Sequence, residues 1–362
     1  MKRLLKIAAL LSLLFLTGCW DGSELSNRGF VTAMSIDIDD DADDIYKVSL
    51  EMPKIEKNND NQEKNIKSGT HRSLNNAIYS TDASSEHEIF LGHMKVLIGG
   101  EELLKDREMF KHALETLSRD RSISRTLLIL AAEGDGSDII EAESKEEGLI
   151  GLYISNFFKK KNPATAHRQT LDSLARYFAE GKTAIIPRVQ ASDEGFTFSG
   201  AAVMSDYELR GWLDEHELKA LTWLNNEARH IGLDISGDEY DFSVEISKFK
   251  SRFTFFEQDG KLYAEINIKL EGDLQESPHA TNISRDALTK KAEESIRNDL
   301  TKVYYALYVQ MDVDGFNLNR ELEKNNPKLH KRHIEYAGLC VMDIPVVFNI
   351  EVVIHGTGSL EG

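Results

Sequence analysis

Apolar and polar residues alternate along many short stretches of the chain, and this period of two is typical of half-buried β-strands. A run of apolar residues without alternation, such as 125–132, indicates a strand buried on both faces. Asp259-Gly260 favours a tight primed turn between two of the strands. The pattern predicts strands at Phe30–Asp37, Ile45–Met52, Glu88–Ile98, Arg125–Ala132, Ala184–Val189 (broken by Pro187), Phe196–Met204, Phe242–Ser247, Arg252–Phe256, Ala264–Leu270 and Val346–Ile354.

Other stretches repeat their apolar residues every three or four positions, which indicates amphipathic helices. The longest covers Ser284–Gln310, and Ser137 or Asp138 is expected to cap a short helix. The polar stretch Ile55–Thr70 is predicted to be a loop. The remaining helices are predicted at Ser73–Thr81, Glu101–Ser118, Leu149–Lys160, Leu171–Ala179 and Glu215–Arg229.

Strands and helices are mixed along the chain and hairpins are prominent, so the predicted fold class is α+β. The chain is too long for one ordinary hydrophobic core, and two or three mixed α/β domains with largely antiparallel sheets are expected. We place an N-terminal region at 19–192, which is large enough for two subdomains, and a C-terminal α+β domain at 195–362.

The first 18 residues have the features of a cleaved lipoprotein signal peptide. Three basic residues precede the uncharged run Ile7–Leu16, which is shorter than the roughly 20 apolar residues of a membrane-spanning helix. Leu16-Thr17-Gly18-Cys19 then resembles a lipobox, in which a cysteine thiolate is the lipid acceptor. We therefore expect lipidation of Cys19 with acyl chains such as palmitate. The alternative is an apolar N-terminal helix with a chance cysteine.

The net charge limits the functions that the protein can have, and the position of Cys340 predicts the environment of this cysteine. The formal net charge is −18, and it becomes −21 when the three basic residues of segment 1–18 are removed. Nucleic-acid binding needs a basic surface, so it is excluded, and the folded part is expected to stand off an anionic membrane. Cys340 lies in an apolar run and is predicted to be a small buried hydrophobic residue.

Two stretches contain residue types that bind metals. The acidic run Asp37–Asp44 could hold a hard cation, but it lacks the glycine and distal glutamate of an EF-hand loop. An acidic, solvated hairpin tip is the preferred interpretation. His330 and His333 have helical spacing, but two ligands without a third do not make a zinc site, so a solvated basic stretch is predicted. No metal site and no cofactor are expected.

Catalytic motifs are absent from the sequence. It contains no HExxH, GxSxG, GxxxxGK[ST] or CxxC, and Gly134-Asp135-Gly136 lacks the third small residue of a dinucleotide loop. Adjacent carboxylates such as Glu101 and Glu102 do not face each other on a helix. We expect no enzyme. Trp20 is expected at the membrane interface or on the protein body, and Trp212 and Trp223 in the core.

Several stretches, taken in order, resemble the Ger(x)C lipoproteins, the C subunits of spore germinant receptors. They are Gly18-Cys19-Trp20-Asp21 with Glu24-Leu25 and a strand ending in Ile36-Asp37, then 93–101, 198–203 with 211–213, Asp314-Gly315-Phe316 and Asn326-Pro327-Lys328 with a closing alternating strand. Gly22-Ser23, where charged residues are usual, and Leu329-His330, where an aromatic residue is usual, depart from the family pattern.

The resemblance implies a lipid-anchored subunit of a nutrient germinant receptor, needed for spore germination. It would act by assembly and signal transmission with integral membrane A and B subunits, on the extracytoplasmic face of the cell or spore inner membrane. Cys19 alone carries over with a defined role, and the family supplies no catalytic residues. The alternative is an extracytoplasmic solute-binding lipoprotein, which requires a deep interdomain cleft with convergent polar groups. A cell-wall hydrolase would require converging carboxylates or a metal.

Overall fold

The computed structural model describes residues 28–39, 45–54, 64–82, 87–142, 148–159, 168–192, 195–225, 231–235, 242–276 and 284–357. Within these ranges, no helix has both the length and the apolar composition needed to cross a membrane. The described chain forms a first unit around a large mixed sheet and a second unit around a smaller sheet.

The strands follow the predicted alternation closely in most places. They are β1 (Arg28–Phe30), β2 (Ala33–Ile38), β3 (Tyr46–Pro53), β4 (Lys64–His71), β5 (Glu88–Phe90), β6 (Val96–Gly99), β7 (Leu128–Ala132), β8 (Ala184–Ser192), β9 (Gly195–Ser205), β10 (Glu208–Leu213), β11 (Ile231–Ile235), β12 (Phe242–Gln258), β13 (Lys261–Glu276) and β14 (Val346–Thr357).

The helices are α1 (Leu74–Asp82), α2 (Glu101–Lys105), α3 (Arg107–Arg119), α4 (Gly136–Glu141), α5 (Ile150–Phe157), α6 (Leu171–Ala179), α7 (Glu215–Asn225), α8 (Arg285–Tyr304), α9 (Leu318–Asn325) and α10 (Pro327–His330). Two π-helical segments, Tyr305–Gln310 and Lys331–Tyr336, extend α8 and α10.

The first unit is a three-layer arrangement of helices on both faces of an eight-stranded sheet, ordered β10-β9-β8-β7-β6-β2-β3-β4. The central strands β2, β6, β7 and β8 are parallel, whereas the outer pairs are antiparallel. Central strands are covered on both faces, which explains the unbroken apolar run of β7. Along β7, Ile129 and Ala131 enter one core, and Leu128 and Leu130 enter the other.

The second unit packs α8 against a four-stranded sheet, ordered β11-β12-β13-β14. Ser284 caps α8, because its hydroxyl accepts a hydrogen bond from the N–H of Ala287 at 3.3 Å. The apolar residues of α8 that predicted the helix are buried against the sheet: Leu288, Ala292, Ile296, Leu300 and Val303. The fold class is confirmed as α+β with mixed sheets.

Strand β9 joins the two units through its alternating side chains. Ala202 and Met204 belong to the core of the first unit, whereas Ala201 and Val203 belong to the core that includes α8 and the second sheet. All four side chains have no exposed surface. Strands β9 and β10 follow the division that we predicted at 193–194, yet they extend the first sheet, so the units share a packed boundary.

The prediction of a loop over Ile55–Thr70 is wrong for its second part. Residues 64–71 form β4, which pairs antiparallel with β3 at the edge of the sheet. An edge strand can form through main-chain pairing alone, so its polar side chains show no alternation of apolar and polar residues. Gly69 allows α1 to lie against this strand, since a Cβ there would stand 2.1 Å from the Ser80 hydroxyl. Residues 55–63 lie outside the described ranges.

Other predicted elements are divided differently in the structure. The helix predicted over Glu101–Ser118 breaks at Asp106, because the Asp106 carboxylate accepts from the N–H of Met109 at 2.9 Å and starts α3. The predicted strand over Glu88–Ile98 is interrupted by a 3₁₀ turn, and β8 continues past Pro187 with a register shift. Helix α4 begins after Asp135, not after the expected caps.

Candidate functional site

A groove of about 490 Å³ lies where the first and second units meet, and we call it the junction groove. Tyr177 and Lys182 line it from α6 and the turn that follows. The second unit contributes apolar walls and polar groups from α7, β12 and α9, namely Leu224, Ser251, Arg252, Phe253, Phe316, Asn317, Glu321, Lys324 and Asn325. The volume falls in the range of about 300–1,000 Å³ that small-molecule sites occupy.

Asn317 holds the two sides of the junction groove together. Its side-chain oxygen accepts a hydrogen bond from the N–H of Thr183 at 3.0 Å. The main chain of Asn317 is left-handed, with φ of 56°, a conformation that asparagine tolerates better than most residues. Asp314 fixes this loop, because its carboxylate accepts from the N–H groups of Leu318 at 2.7 Å and Asn319 at 2.9 Å.

The junction groove collects positive charge in an acidic protein. Lys182 forms an ion pair with Glu180 at 2.7 Å, and its ammonium lies 5.4 Å from the ring centre of Tyr177. A hydrogen bond from Lys182 lowers the pKa of Glu180. Arg252 and Lys324 have no ion-pair partner among the described residues. Such a site could hold the carboxylate of a small polar molecule, while Phe253 and Phe316 provide apolar contact.

The residue types that bind metal ions do not form a metal site in the described parts of the chain. No set of three or more His, Cys, Asp or Glu side chains within those parts could hold a metal ion. His330 and His333 do not converge: one lies 3.1 Å from the Asn319 side chain and the other 3.3 Å from the Glu257 carboxylate.

The prediction that Asp37 belongs to a solvated acidic tip is wrong. Asp37 is 1% exposed, and its carboxylate accepts from the main-chain N–H groups of Gly136 at 2.6 Å and Ser137 at 3.0 Å, at the start of α4. The Ser35 hydroxyl donates a third hydrogen bond at 3.1 Å. Residues 40–44 of the acidic run lie outside the described ranges.

Glu51 plays the same part for the next helix, and nothing in the sequence pattern indicated it. It is fully buried, and its carboxylate accepts from the N–H groups of Ile150 at 2.6 Å and Gly151 at 3.0 Å, at the start of α5. The Thr32 hydroxyl donates to the same carboxylate at 2.6 Å. Carboxylates at helix N-termini satisfy free N–H groups and oppose the helix dipole, so both residues are structural anchors.

The remaining predicted residues have mixed outcomes. Cys19 and Trp20 lie outside the described ranges, so the lipidation of Cys19 stays a prediction. Trp223 is 1% exposed, as expected for the core, and Trp212 is half-buried against the first unit. The prediction of a buried Cys340 is wrong, because this thiol is exposed. The apolar run around it packs only partly onto the core, through Leu339, Val341 and Met342.

Two family models match the chain in sequence order. The model described as "Spore germination protein N-terminal domain" matches residues 21–191. The model described as "Spore germination B3/ GerAC like, C-terminal" matches residues 199–358. Together they span most of the chain.

Individual relatives and one solved structure agree with these matches. The chain is 26% identical over 262 residues to "Spore germination protein YndF" of Bacillus subtilis (strain 168), covering 68% of this chain and 63% of that protein. It is 22% identical over 334 residues to "Spore germination protein B3" of the same strain, covering 87% of each. The crystal structure of the GerBC protein has the same fold, with a TM-score of 0.61 and 17% identity over 89% of this chain and 97% of that one.

Proposed function

The chain belongs to the Ger(x)C family of spore germination proteins, and on this premise we propose that it is the lipid-anchored C subunit of a nutrient germinant receptor. It would act by assembly and signal transmission with the integral membrane A and B subunits, on the extracytoplasmic face of the membrane. The observation that carries the proposal is the match of both family models, in order, along 21–191 and 199–358.

The N-terminal sequence supports the anchoring part of the proposal. A lipobox-like Leu16-Thr17-Gly18-Cys19 precedes the first described strand, and only residues 20–27 separate Cys19 from Arg28. Even a fully extended connection of this length spans no more than about 30 Å. An anchored Cys19 would therefore keep the first unit close to the membrane, where integral subunits are within reach.

A binding and assembly role is also consistent with the described parts of the structure. They contain an open groove with charged and apolar walls, and within them no metal-binding cluster is assembled. We propose that the protein performs no catalysis and that its domains dock on exposed parts of the A and B subunits to stabilise or transmit their signalling state.

Replacing Cys19 with alanine tests the proposal, because alanine cannot accept a lipid. We expect Cys19→Ala to reduce both the recovery of the protein in the spore membrane fraction and the germination response to nutrients. Cys340→Ala is the matched control, since Cys340 is the second of the two cysteines and its thiol is exposed. Unchanged membrane recovery and unchanged germination in Cys19→Ala spores would reject the anchored-subunit proposal.

The junction groove supports the alternative function of solute binding, which needs a separate test. Its two sides come from different units, as in a solute-binding cleft, and its volume suits a small metabolite. A panel of amino acids and sugars would be screened for thermal stabilisation of the purified protein. A ligand that stabilises the wild type but does not stabilise Arg252→Gln would support this alternative. If no ligand of the panel behaves in this way, solute binding is rejected and the assembly role is the remaining function.

A further inference from the structure

A second cavity, of about 210 Å³, opens in the first unit at the N-terminal ends of β6 and β7. Its rim carries the cations Lys95, Lys159 and Arg168, and we call it the basic pocket. Ser124, Thr126 and Ser155 contribute hydroxyl groups, and among the described residues that line the pocket there is no aspartate or glutamate. The charge of the pocket is therefore opposite to that of the whole chain, which has 61 acidic and 43 basic residues.

The cations of the basic pocket are not neutralised within the described parts of the protein. Lys95 and Arg168 form no ion pair or hydrogen bond there through their side chains, and Lys159 donates only to the neutral Asn156 side chain at 3.2 Å. Some basic residues elsewhere in the first unit are paired: the Lys105 ammonium lies 2.9 Å from the Glu101 carboxylate, for example. Three unpaired cations around one cavity repel each other, and a bound anion would relieve that repulsion.

The main chain holds the basic pocket in a defined shape. The N–H of Lys95 donates to the Thr32 carbonyl at 2.9 Å, and the Lys95 carbonyl accepts from Leu128 at 3.0 Å. The hydroxyls of Ser124 and Thr126, which also line the pocket, lie 2.9 Å apart. The inner lining is apolar and buried, formed by Met94, Leu127, Leu128 and Phe158.

The chemistry and size of the basic pocket match a phosphate group. Arginine and lysine form charge-assisted hydrogen bonds with phosphate oxygens, and hydroxyl groups can donate to the same oxygens. The cavity is smaller than the roughly 300 Å³ at which sites for whole drug-sized ligands begin. It would therefore hold a single small group and leave the rest of a larger ligand outside.

The basic pocket also lies beside the point where the described chain begins. Strand β1 pairs with β5, and the Phe30 ring stacks on His93 at 4.8 Å, next to Gly92 of the pocket lining. With Cys19 lipidated, as in the proposed function on which this step rests, this end of the first unit is the one nearest to the membrane. A phosphate source is then available at the lipid headgroups.

We propose that the basic pocket binds the phosphate of an anionic phospholipid headgroup and so orients the anchored first unit on its membrane. One headgroup in a local pocket is compatible with the strongly negative net charge, which opposes flat adhesion of the whole surface. The lipid chain on Cys19 would supply the membrane affinity, and the pocket would fix the rotation of the unit about its tether.

Amine-reactive labelling of the lipidated, full-length mature protein in nanodiscs tests this site. The rate of acetylation at each lysine would be measured by mass spectrometry in phosphatidylcholine discs with and without phosphatidylglycerol. Occupancy reduces the free fraction by the factor 1 + [L]/Kd, so we expect about fivefold slower labelling of Lys95 and Lys159 in phosphatidylglycerol discs. Lys290, exposed on α8, is the internal control and should not change.

Variants and a free anion complete the test. Arg168→Gln should restore fast labelling of Lys95 in phosphatidylglycerol discs, which separates pocket binding from a general effect of the membrane charge. Protection by inorganic phosphate in phosphatidylcholine discs, without further protection by phosphatidylglycerol, would overturn the lipid as source. Equal labelling rates in both disc types for a protein that is disc-bound would overturn the site, whereas a protein that carries no lipid and fails to enter discs would count against the proposed function.

Discussion

The carboxylate of Asp37 accepts a hydrogen bond from the main-chain N–H of Gly136 at 2.6 Å, which ties the end of β2 to the start of α4. The far end of α4 has the complementary arrangement, since the Lys64 ammonium donates to the carbonyls of Ile140 at 2.8 Å and Glu141 at 3.0 Å. Opposite charges at the two ends match the helix dipole. Because α4 has only six residues, these external partners stabilise it in addition to the core packing of Ile139 and Ile140.

Burial of Asp37 makes the stability of the first unit sensitive to pH. Desolvation raises the pKa of Asp37 from 3.8 to about 6, despite hydrogen bonds from Gly136, Ser35 and Ser137 that lower it. Between these pH values the folded protein binds more protons than the unfolded chain, so the free energy of unfolding falls as the pH rises. The full change is about 3 kcal/mol for this one group.

We expect Asp37→Asn to remove this loss, because the asparagine does not titrate. The free energy of unfolding, measured by denaturant titration between pH 4 and pH 6, should fall less steeply in the variant than in the wild type. Asp286→Asn, at an exposed position in the first turn of α8, is the control and should keep the wild-type slope. Parallel pH profiles for the wild type and Asp37→Asn would show that Asp37 titrates normally.

The start of α5 is constrained by close approach to the main chain just before β2, as well as by Glu51. A Cβ on Gly151 would stand 2.3 Å from the Thr32 carbonyl oxygen, so Gly151→Ala must push the helix away from the Glu51 carboxylate. Overpacking of this kind costs about 1–3 kcal/mol, and we expect the free energy of unfolding to fall by that amount. Gly232→Ala on β11 is the matched control, since a Cβ there has open space. Equal stability of the two variants would contradict the close packing.

The hydrogen bond between Thr183 and Asn317 predicts an ordered pair of stability changes. Asn317→Gly removes the side-chain acceptor but tolerates the left-handed main chain, so it should cost about 0.5–1.5 kcal/mol. Asn317→Ala loses the same bond and adds about 1–2 kcal/mol of left-handed strain. Hydrogen exchange of the Thr183 amide should accelerate in both variants, and an unchanged rate in both would mean that this bond does not hold the groove closed.

The exposed thiol of Cys340 gives a direct chemical prediction. A maleimide should label Cys340 in the native protein without denaturant, and Cys340→Ser should abolish the reaction. If Cys19 carries lipid as proposed, the native lipoprotein contains one reactive thiol per chain. Labelling that appears only after unfolding would show that the thiol is buried, as the apolar residues around Cys340 had predicted.

Periodic sequence features predicted most of the helices and strands, because an element that is buried on one face or on both has a regular pattern of apolar residues. Leu171–Ala179 forms a helix with the predicted bounds, and Asp259-Gly260 forms the predicted turn, with φ of 50° and 75°. The two strands predicted at Phe242–Ser247 and Arg252–Phe256 are one strand of 17 residues, because a register shift between Ile246 and Lys248 interrupts the alternation without ending the pairing.

The buried carboxylates that anchor α4 and α5 produce no periodic pattern in the sequence. Asp37 and Glu51 are charged, and a charged residue in a sequence indicates solvent unless the partner is known. Their partners are main-chain N–H groups of helices about 100 positions away, which no local pattern encodes. The junction groove and the basic pocket likewise combine residues from separate elements, so no sequence pattern indicated that their cations lie close together.

Affinity purification of the lipidated protein from spore membranes in mild detergent, followed by quantitative mass spectrometry, tests the receptor-subunit claim most directly. Wild-type and Cys19→Ala chains would be compared at equal amounts of the tagged protein. We predict that two integral membrane proteins, the A and B subunits, are recovered with the wild-type chain in constant proportion and are reduced with Cys19→Ala. Recovery of the lipidated wild-type chain without either membrane subunit would contradict the account.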